Sequence, residues 1–266
     1  MLSHASQFLS QLPHSNAVLV IVQATRGSVP RGVGTWMGVF PKSLVATIGG
    51  GRLELDAIAH ARAMAHVPGG MEIRRFSLGP SLGQCCGGEV ELRFECVNAA
   101  DAPSLTPRLE DKKFPVALFG GGHVGTALAK VLSALPMDVT WIDSRDEIFP
   151  EDVPLGIRCE HSNPVHAAVS DLVPQSRILI MSFSHAEDLD IVAACLLRQR
   201  AQADLPFIGL IGSKTKWATF RHRLEAKGFT PEDLAHVTCP IGITGINDKR
   251  PEVIAVSVAA QLLKAA

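Results

Sequence analysis

A chain of 266 residues with 47% hydrophobic and 19% charged residues has enough apolar side chains for real cores, and its length suggests about two domains. A formal net charge of −1 and a pI near 6.8 argue against a polyanion or an anionic membrane surface as partner, so neither nucleic acid nor membrane binding is expected. No apolar run approaches the roughly 18 residues of a membrane span, and the first residues lack a basic stretch followed by an apolar one, so a cytoplasmic protein is expected.

In chain order, residues 17–23, 35–40, 44–48, 71–77 and 89–97 read as strands. In the last of these Val90, Leu92, Phe94 and Cys96 alternate onto one face, which makes Cys96 a core residue. One helix is expected over residues 53–66, with Leu55, Ile58, Ala59 and Arg62 at helical spacing and Pro68-Gly69-Gly70 as its stop. Residues 98–115 hold three prolines and many charges, and read as a linker between residues 1–97 and 116–266. Beyond it, strands at 116–119, 138–142, 177–182 and 207–211 alternate with helices at 124–135, 164–172, 187–200 and 214–228. A short helix opens at Thr230-Pro231, and a last one covers residues 251–265. The fold expected is α/β: a strand-rich N-terminal α+β domain followed by a Rossmann-like, doubly wound parallel-sheet domain.

Four loops carry residue types suited to binding. In Gln84-Cys85-Cys86-Gly87-Gly88 two adjacent thiols stand in a glycine-flanked run. Neighbouring Cα atoms lie about 3.8 Å apart, short of the roughly 4.4–6.8 Å of ordinary disulfides, so the pair reads as free thiols suited to thiolate chemistry or metal ligation. Arg26, Ser28 and Arg31, interleaved with Gly27, Gly32 and Pro30, form an anion cradle of guanidinium forks and exposed amides. Gly49-Gly50-Gly51 runs into a helix with Glu54 in its first turn. Gly120-Gly121-Gly122-His123-Val124-Gly125 lies between a strand and a helix, and Asp143 ends the next strand. Gly120, Gly122 and Gly125 suit a pyrophosphate and Asp143 a ribose hydroxyl, a preference that Arg145 could modify; the alternative is a glycine turn kept for packing that binds another anion or none. Ile211-Gly212-Ser213-Lys214 is a second strand-to-helix turn, and His185 with Asp188 and Asp190 forms a polar or metal-binding cluster or a set of solvated loop residues.

These motifs, together with Gly79-Pro80-Ser81-Leu82-Gly83 and Cys239-Pro240-Ile241-Gly242, resemble the XdhC/CoxI family from about Val18 to Leu263, and within it the xanthine dehydrogenase accessory branch. The resemblance implies a chaperone of the molybdenum cofactor. Such a protein binds the molybdopterin, holds it while a cysteine desulfurase exchanges an oxo ligand for sulfido, and delivers it to apo xanthine dehydrogenase. The family's cysteine motif falls on Cys85 and Cys86, the expected metal contacts. Gln84, Gly87, Gly88, the arginine loop and the triple glycine with Glu54 are the expected cofactor cradle. No catalytic residue is implied, a homodimer is compatible, and a dinucleotide in the C-terminal domain stays open. Two departures stand out. Relatives often show Thr-His-x-His where this chain has Ser182-Phe183-Ser184-His185, and the CoxI branch often carries cysteine where this chain has Arg52. The rival reading is an NAD(P)-dependent oxidoreductase built on the glycine turn, with His123 or His185 as proton donor. A zinc or redox sensor using Cys85 and Cys86 lacks further ligands at recognisable spacing.

Overall fold

The N-terminal sheet of the computed structural model is built around β1 (Ala17–Arg26), whose first six residues, Ala-Val-Leu-Val-Ile-Val, are apolar almost without a break because both faces are covered. The structure describes residues 3–65, 69–78, 87–110 and 112–265. They fall into two compact units, Met1–Glu110 and Asp111–Ala266.

In the first unit α1 (His4–Gln11) leads into β1, followed by β2 (Trp36–Val39), β3 (Leu44–Ala46), α2 (Gly51–Met64), β4 (Met71–Ser77) and β5 (Glu89–Val97). A 3-10 turn at Ala99–Asp101 then feeds α3 (Ala102–Leu109). The strands form an antiparallel sheet in the order β3-β2-β1-β5-β4. Val18, Val20 and Val22 meet Leu53, Ala57, Ile58 and Ala61 of α2, and Val90, Leu92 and Phe94 join them, as the alternation of β5 requires. The opposite face carries Leu19 and is closed by Phe8 of α1 and by Leu105 and Leu109 of α3.

Two expectations are corrected here. The stretch expected as a linker is helical over most of its length: Asn98 and Asp101 form a capping box, Pro103 sits in the first turn, and Leu105 and Leu109 are buried one turn apart. On α2 the buried stripe is Leu53, Ala57, Ile58 and Ala61, so of the expected face Ile58 is buried, whereas Leu55 is 64% exposed. The helix α1 had a signal in the sequence, an N-cap at Ser3 and Phe8 four residues before Leu12, that the strand pattern obscured.

The second unit holds β6 (Phe114–Phe119), α4 (His123–Leu132), β7 (Met137–Asp143), β8 (Ile157–His161), a 3-10 helix at Val165–Asp171 and β9 (Arg177–Ile180). Then come α5 (His185–Gln202), β10 (Phe207–Leu210), α6 (Lys214–Ala226), α7 (Pro231–Leu234), β11 (Val237–Thr238) and α8 (Pro251–Lys264). All six strands are parallel, in the order β11-β10-β9-β6-β7-β8. One face packs on α5, α6 and the 3-10 helix, the other on α4 and α8. This is the doubly wound sheet expected, with β8 and β11 added at its edges, where short and polar strands give little periodic signal. The strand order reverses between β6 and β9, which opens a crevice at the carboxyl ends of the central strands. No helix among the described residues is long and apolar enough to cross a membrane.

Candidate functional site

At one end of the N-terminal sheet, Arg26 of β1 pairs in register with Glu89 of β5, which in turn lies opposite Ser77 of β4. The amide of Leu78 donates to the carbonyl of Gly88 at 2.7 Å and closes the neck of the β4–β5 connection. Gly87 and Gly88 lie against the loop after β1: a Cβ on Gly88 would stand 2.1 Å from the carbonyl oxygen of Ser28 and 2.9 Å from that of Arg26, so no other residue fits without moving backbone. Arg26, Gly27, Ser77, Leu78, Gly87, Gly88 and Glu89 line a cleft of about 460 Å³. Glu89 and Glu91 pair with Arg75 at 3.3 and 2.7 Å, so the carboxylates closest in register to Arg26 are committed elsewhere. Arg26 and Arg31 are both exposed.

The second loop is held by Glu54. Its Oε2 accepts from the hydroxyl of Thr47 and from the amides of Ile48 and Gly50, the latter two at 3.0 and 3.1 Å. Glu54 is therefore a loop anchor that fixes Gly49-Gly50-Gly51 at the entry of α2. Gly49 packs on Pro30 and Arg31 of the arginine loop, where a Cβ would come within 2.6 Å of the proline ring. Among the described residues nothing stands within 4 Å of where a Cβ on Gly50 or Gly87 would be. The structure thus gathers Arg26, Gly27, Gly87 and Gly88 around one cleft, packs Ser28 against Gly88, and sets Arg31 beside Gly49. The expected contacts Gln84, Cys85 and Cys86 lie outside the described residues. Ser77, Leu78 and Glu89 of the cleft were not singled out in the sequence, because only strand pairing brings them there.

In the second unit the glycine turn has the expected close contacts. A Cβ on Gly120 would sit 2.0 Å from the carbonyl oxygen of Met181, and one on Gly125 would sit 1.9 Å from that of Gly120. The Trp141 indole donates to the same Gly120 carbonyl at 2.9 Å. Of this trio only Gly122 would carry a Cβ with nothing within 4 Å among the described residues. Asp143, only 1% exposed, accepts from the Gly121 amide at 2.6 Å, from the Arg145 amide at 2.9 Å, and twice from the Arg145 guanidinium at 2.9 Å. Burial works against its ionisation, but Arg145 and these amides outweigh it and hold the carboxyl below its ordinary value. A carboxylate offers about four acceptor positions, and all are taken, so Asp143 presents no open oxygen to a ribose.

The cluster of His185, Asp188 and Asp190 does not form. Asp188, 2% exposed, accepts from the Ser182 amide and hydroxyl at 2.8 and 2.7 Å and from Lys216 at 2.5 Å, while Asp190 reaches toward Lys227 at 3.5 Å. His185 stands edge-on to Phe220. Among the described residues no group of three or more metal-ligating side chains converges. Ser213 caps α6 through the Lys216 amide, and Lys214 is exposed, so that turn is an ordinary helix entry. Burial pushes Cys195 up to about 12 and Cys239 up to about 11, so both remain protonated at neutral pH.

Residues 116–262 match the family description "XdhC Rossmann domain", and residues 13–77 match that of the "XdhC and CoxI family". The chain is 27% identical over 263 residues to the uncharacterized protein YqeB of Escherichia coli K12, covering 96% of this chain and 45% of that protein. It thus spans about half the length of this curated relative. In fold it is similar to a crystal structure described as a xanthine dehydrogenase from Bacillus halodurans, with a TM-score of 0.81 at 18% identity, over 99% of this chain and 96% of that one. With both halves matched in order by one family's descriptions, the chain belongs to the XdhC and CoxI family.

Proposed function

We propose that this protein is a maturation factor for a xanthine dehydrogenase, which carries the molybdenum cofactor as cargo, presents it to a cysteine desulfurase and delivers it to the apo-enzyme. The observation that carries the reading is the contact of Gly88 with the Ser28 and Arg26 carbonyls, which ties the neck of the cysteine-bearing connection to the arginine loop. A pterin phosphate suits Arg26 and Arg31, which supply guanidinium forks, and the amides of Gly27, Ser28 and Gly87. Gly87, which lines the cleft, directly follows Cys86 in the chain, and the family resemblance implies a thiolate contact to the cargo there. The cargo brings the metal and the exchangeable ligand; these residues bind and orient it and need no turnover of their own. A carrier that must release its load works best at micromolar affinity, about −8 kcal/mol.

The test is the protein purified from a host that makes the cofactor, oxidised to release fluorescent pterin. Near-stoichiometric pterin is expected. Arg26→Ala should retain about tenfold less, as loss of one charge-assisted contact predicts, with an unchanged melting temperature. Absence of pterin from the unsubstituted protein, with substrate-dependent NAD(P)H oxidation in its place, would sink the proposal in favour of an oxidoreductase.

A further inference from the structure

The helix α8 closes one face of the parallel sheet with Ala255, Val258, Ala259 and Leu262, all buried and at helical spacing. On its outer side a sheet-packed helix ordinarily turns charged side chains to water, as α6 does with Lys214, Arg221, His222 and Glu225. On α8 the arrangement is reversed. Its two uncharged polar residues are spent inward: the Ser257 hydroxyl oxygen accepts from the Ile243 amide at 2.7 Å, and the Gln261 side-chain oxygen accepts from the Gly242 amide at 2.6 Å. The outer side between Glu252 and Lys264 carries only Val253, Val256, Ala260 and Leu263, of which Val256 is 58% and Leu263 43% exposed. These four stand at the spacing of alternating a and d positions in a heptad, so they form one apolar seam along the helix.

We infer that this seam is a contact between two copies of the chain, α8 packing antiparallel on α8 about a two-fold axis at Val258. The end charges select both the occupant and the direction. A two-fold axis at the middle of the helix sets Val253 level with Leu263 of the second copy and Val256 level with Ala260 of the second copy, so each layer joins an a position to a d position. The same register sets Glu252 level with Lys264 of the second copy at one end, and Lys264 level with Glu252 of the second copy at the other. A parallel pair would instead bring like charges together at both ends. Ala260 opposite Val256 keeps the middle layers small, which lets the helix axes approach to about 8–10 Å. The 14 residues of α8 span about 21 Å, so the pair buries less than the roughly 1,600 Å² of a standard interface, and the dimer forms and parts at micromolar concentration.

The full chain is examined by sedimentation equilibrium between about 1 and 200 µM, where a monomer–dimer equilibrium with a Kd on the order of 10 µM is expected. Val256→Glu puts a carboxylate from each copy into the seam at an exposed position. It should melt like the unsubstituted protein and weaken the dimer at least about tenfold. Glu252→Lys, which sets lysine level with lysine at both ends, should weaken it about fivefold, and adding Lys264→Glu should restore it. Leu55→Glu, at an apolar residue of the first unit that is 64% exposed, should leave association unchanged. A chain that is monomeric up to about 200 µM overturns the inference. So does a dimer that survives Val256→Glu, one that Leu55→Glu dissolves, or a double charge reversal that fails to restore association.

Discussion

At Asp143 a buried carboxylate meets four donors from a loop neighbour and a glycine turn, and its ionised form is what holds them together. Because its folded pKa is lowered, the stabilisation it gives is present above the ordinary carboxylate value of about 3.9 and is lost as the pH falls through the lower folded value. Asp143→Asn should therefore destabilise the protein at pH 7 by about 2 kcal/mol, a modest figure because Arg145 remains one-third exposed and can rehydrate. Urea denaturation of both proteins at pH 7 and near pH 3 checks it: the difference should shrink in acid, and a gap independent of pH contradicts the ionic account. The glycine spacing and the acid after the next strand were both legible in the sequence. Which group the acid would hold was not, since Arg145 reaches it only through a particular loop conformation two residues on. The same holds for Glu54, legible as an acid in a first helical turn but committed by geometry to tying down Thr47, Ile48 and Gly50.

Among the elements, α3 carries the clearest lesson. Three prolines and scattered charges in residues 98–115 give no apolar period, yet two leucines four apart suffice for a two-turn helix when a sheet face stands ready to receive them. The apolar run of β1 already demanded cover on both sides, and one predicted helix could supply only one. Leu105 is fully buried in that second layer, so Leu105→Ala should cost about 2–5 kcal/mol in a urea titration. A loss under about 0.5 kcal/mol would show that the segment behaves as the linker its composition suggests. The central elements of the parallel sheet were legible, because buried strands four to seven residues long and helices with apolar stripes are properties of short windows.

On the scale of the whole molecule, each unit has its own cores: two clusters on the faces of the antiparallel sheet, and two on the faces of the parallel one. A fragment of residues 112–265 is therefore expected to fold alone, with one cooperative urea transition and native-like helical circular dichroism. A fragment that stays unfolded, or melts without cooperativity, would show that the second unit depends on the first. The sequence by itself determined the two-part organisation, the doubly wound sheet, the glycine turn and the family resemblance, because periodicity, spacing and motif order are written in neighbouring residues. Only the tertiary structure decided that residues 26–28 meet residues 87 and 88, that Asp143 is spent on Arg145, and that Glu187 faces Ser144 with an oxygen unmet. Those contacts join residues that are distant in the chain or depend on a rotamer. Strand pairing and close packing fix them, and no local pattern encodes them.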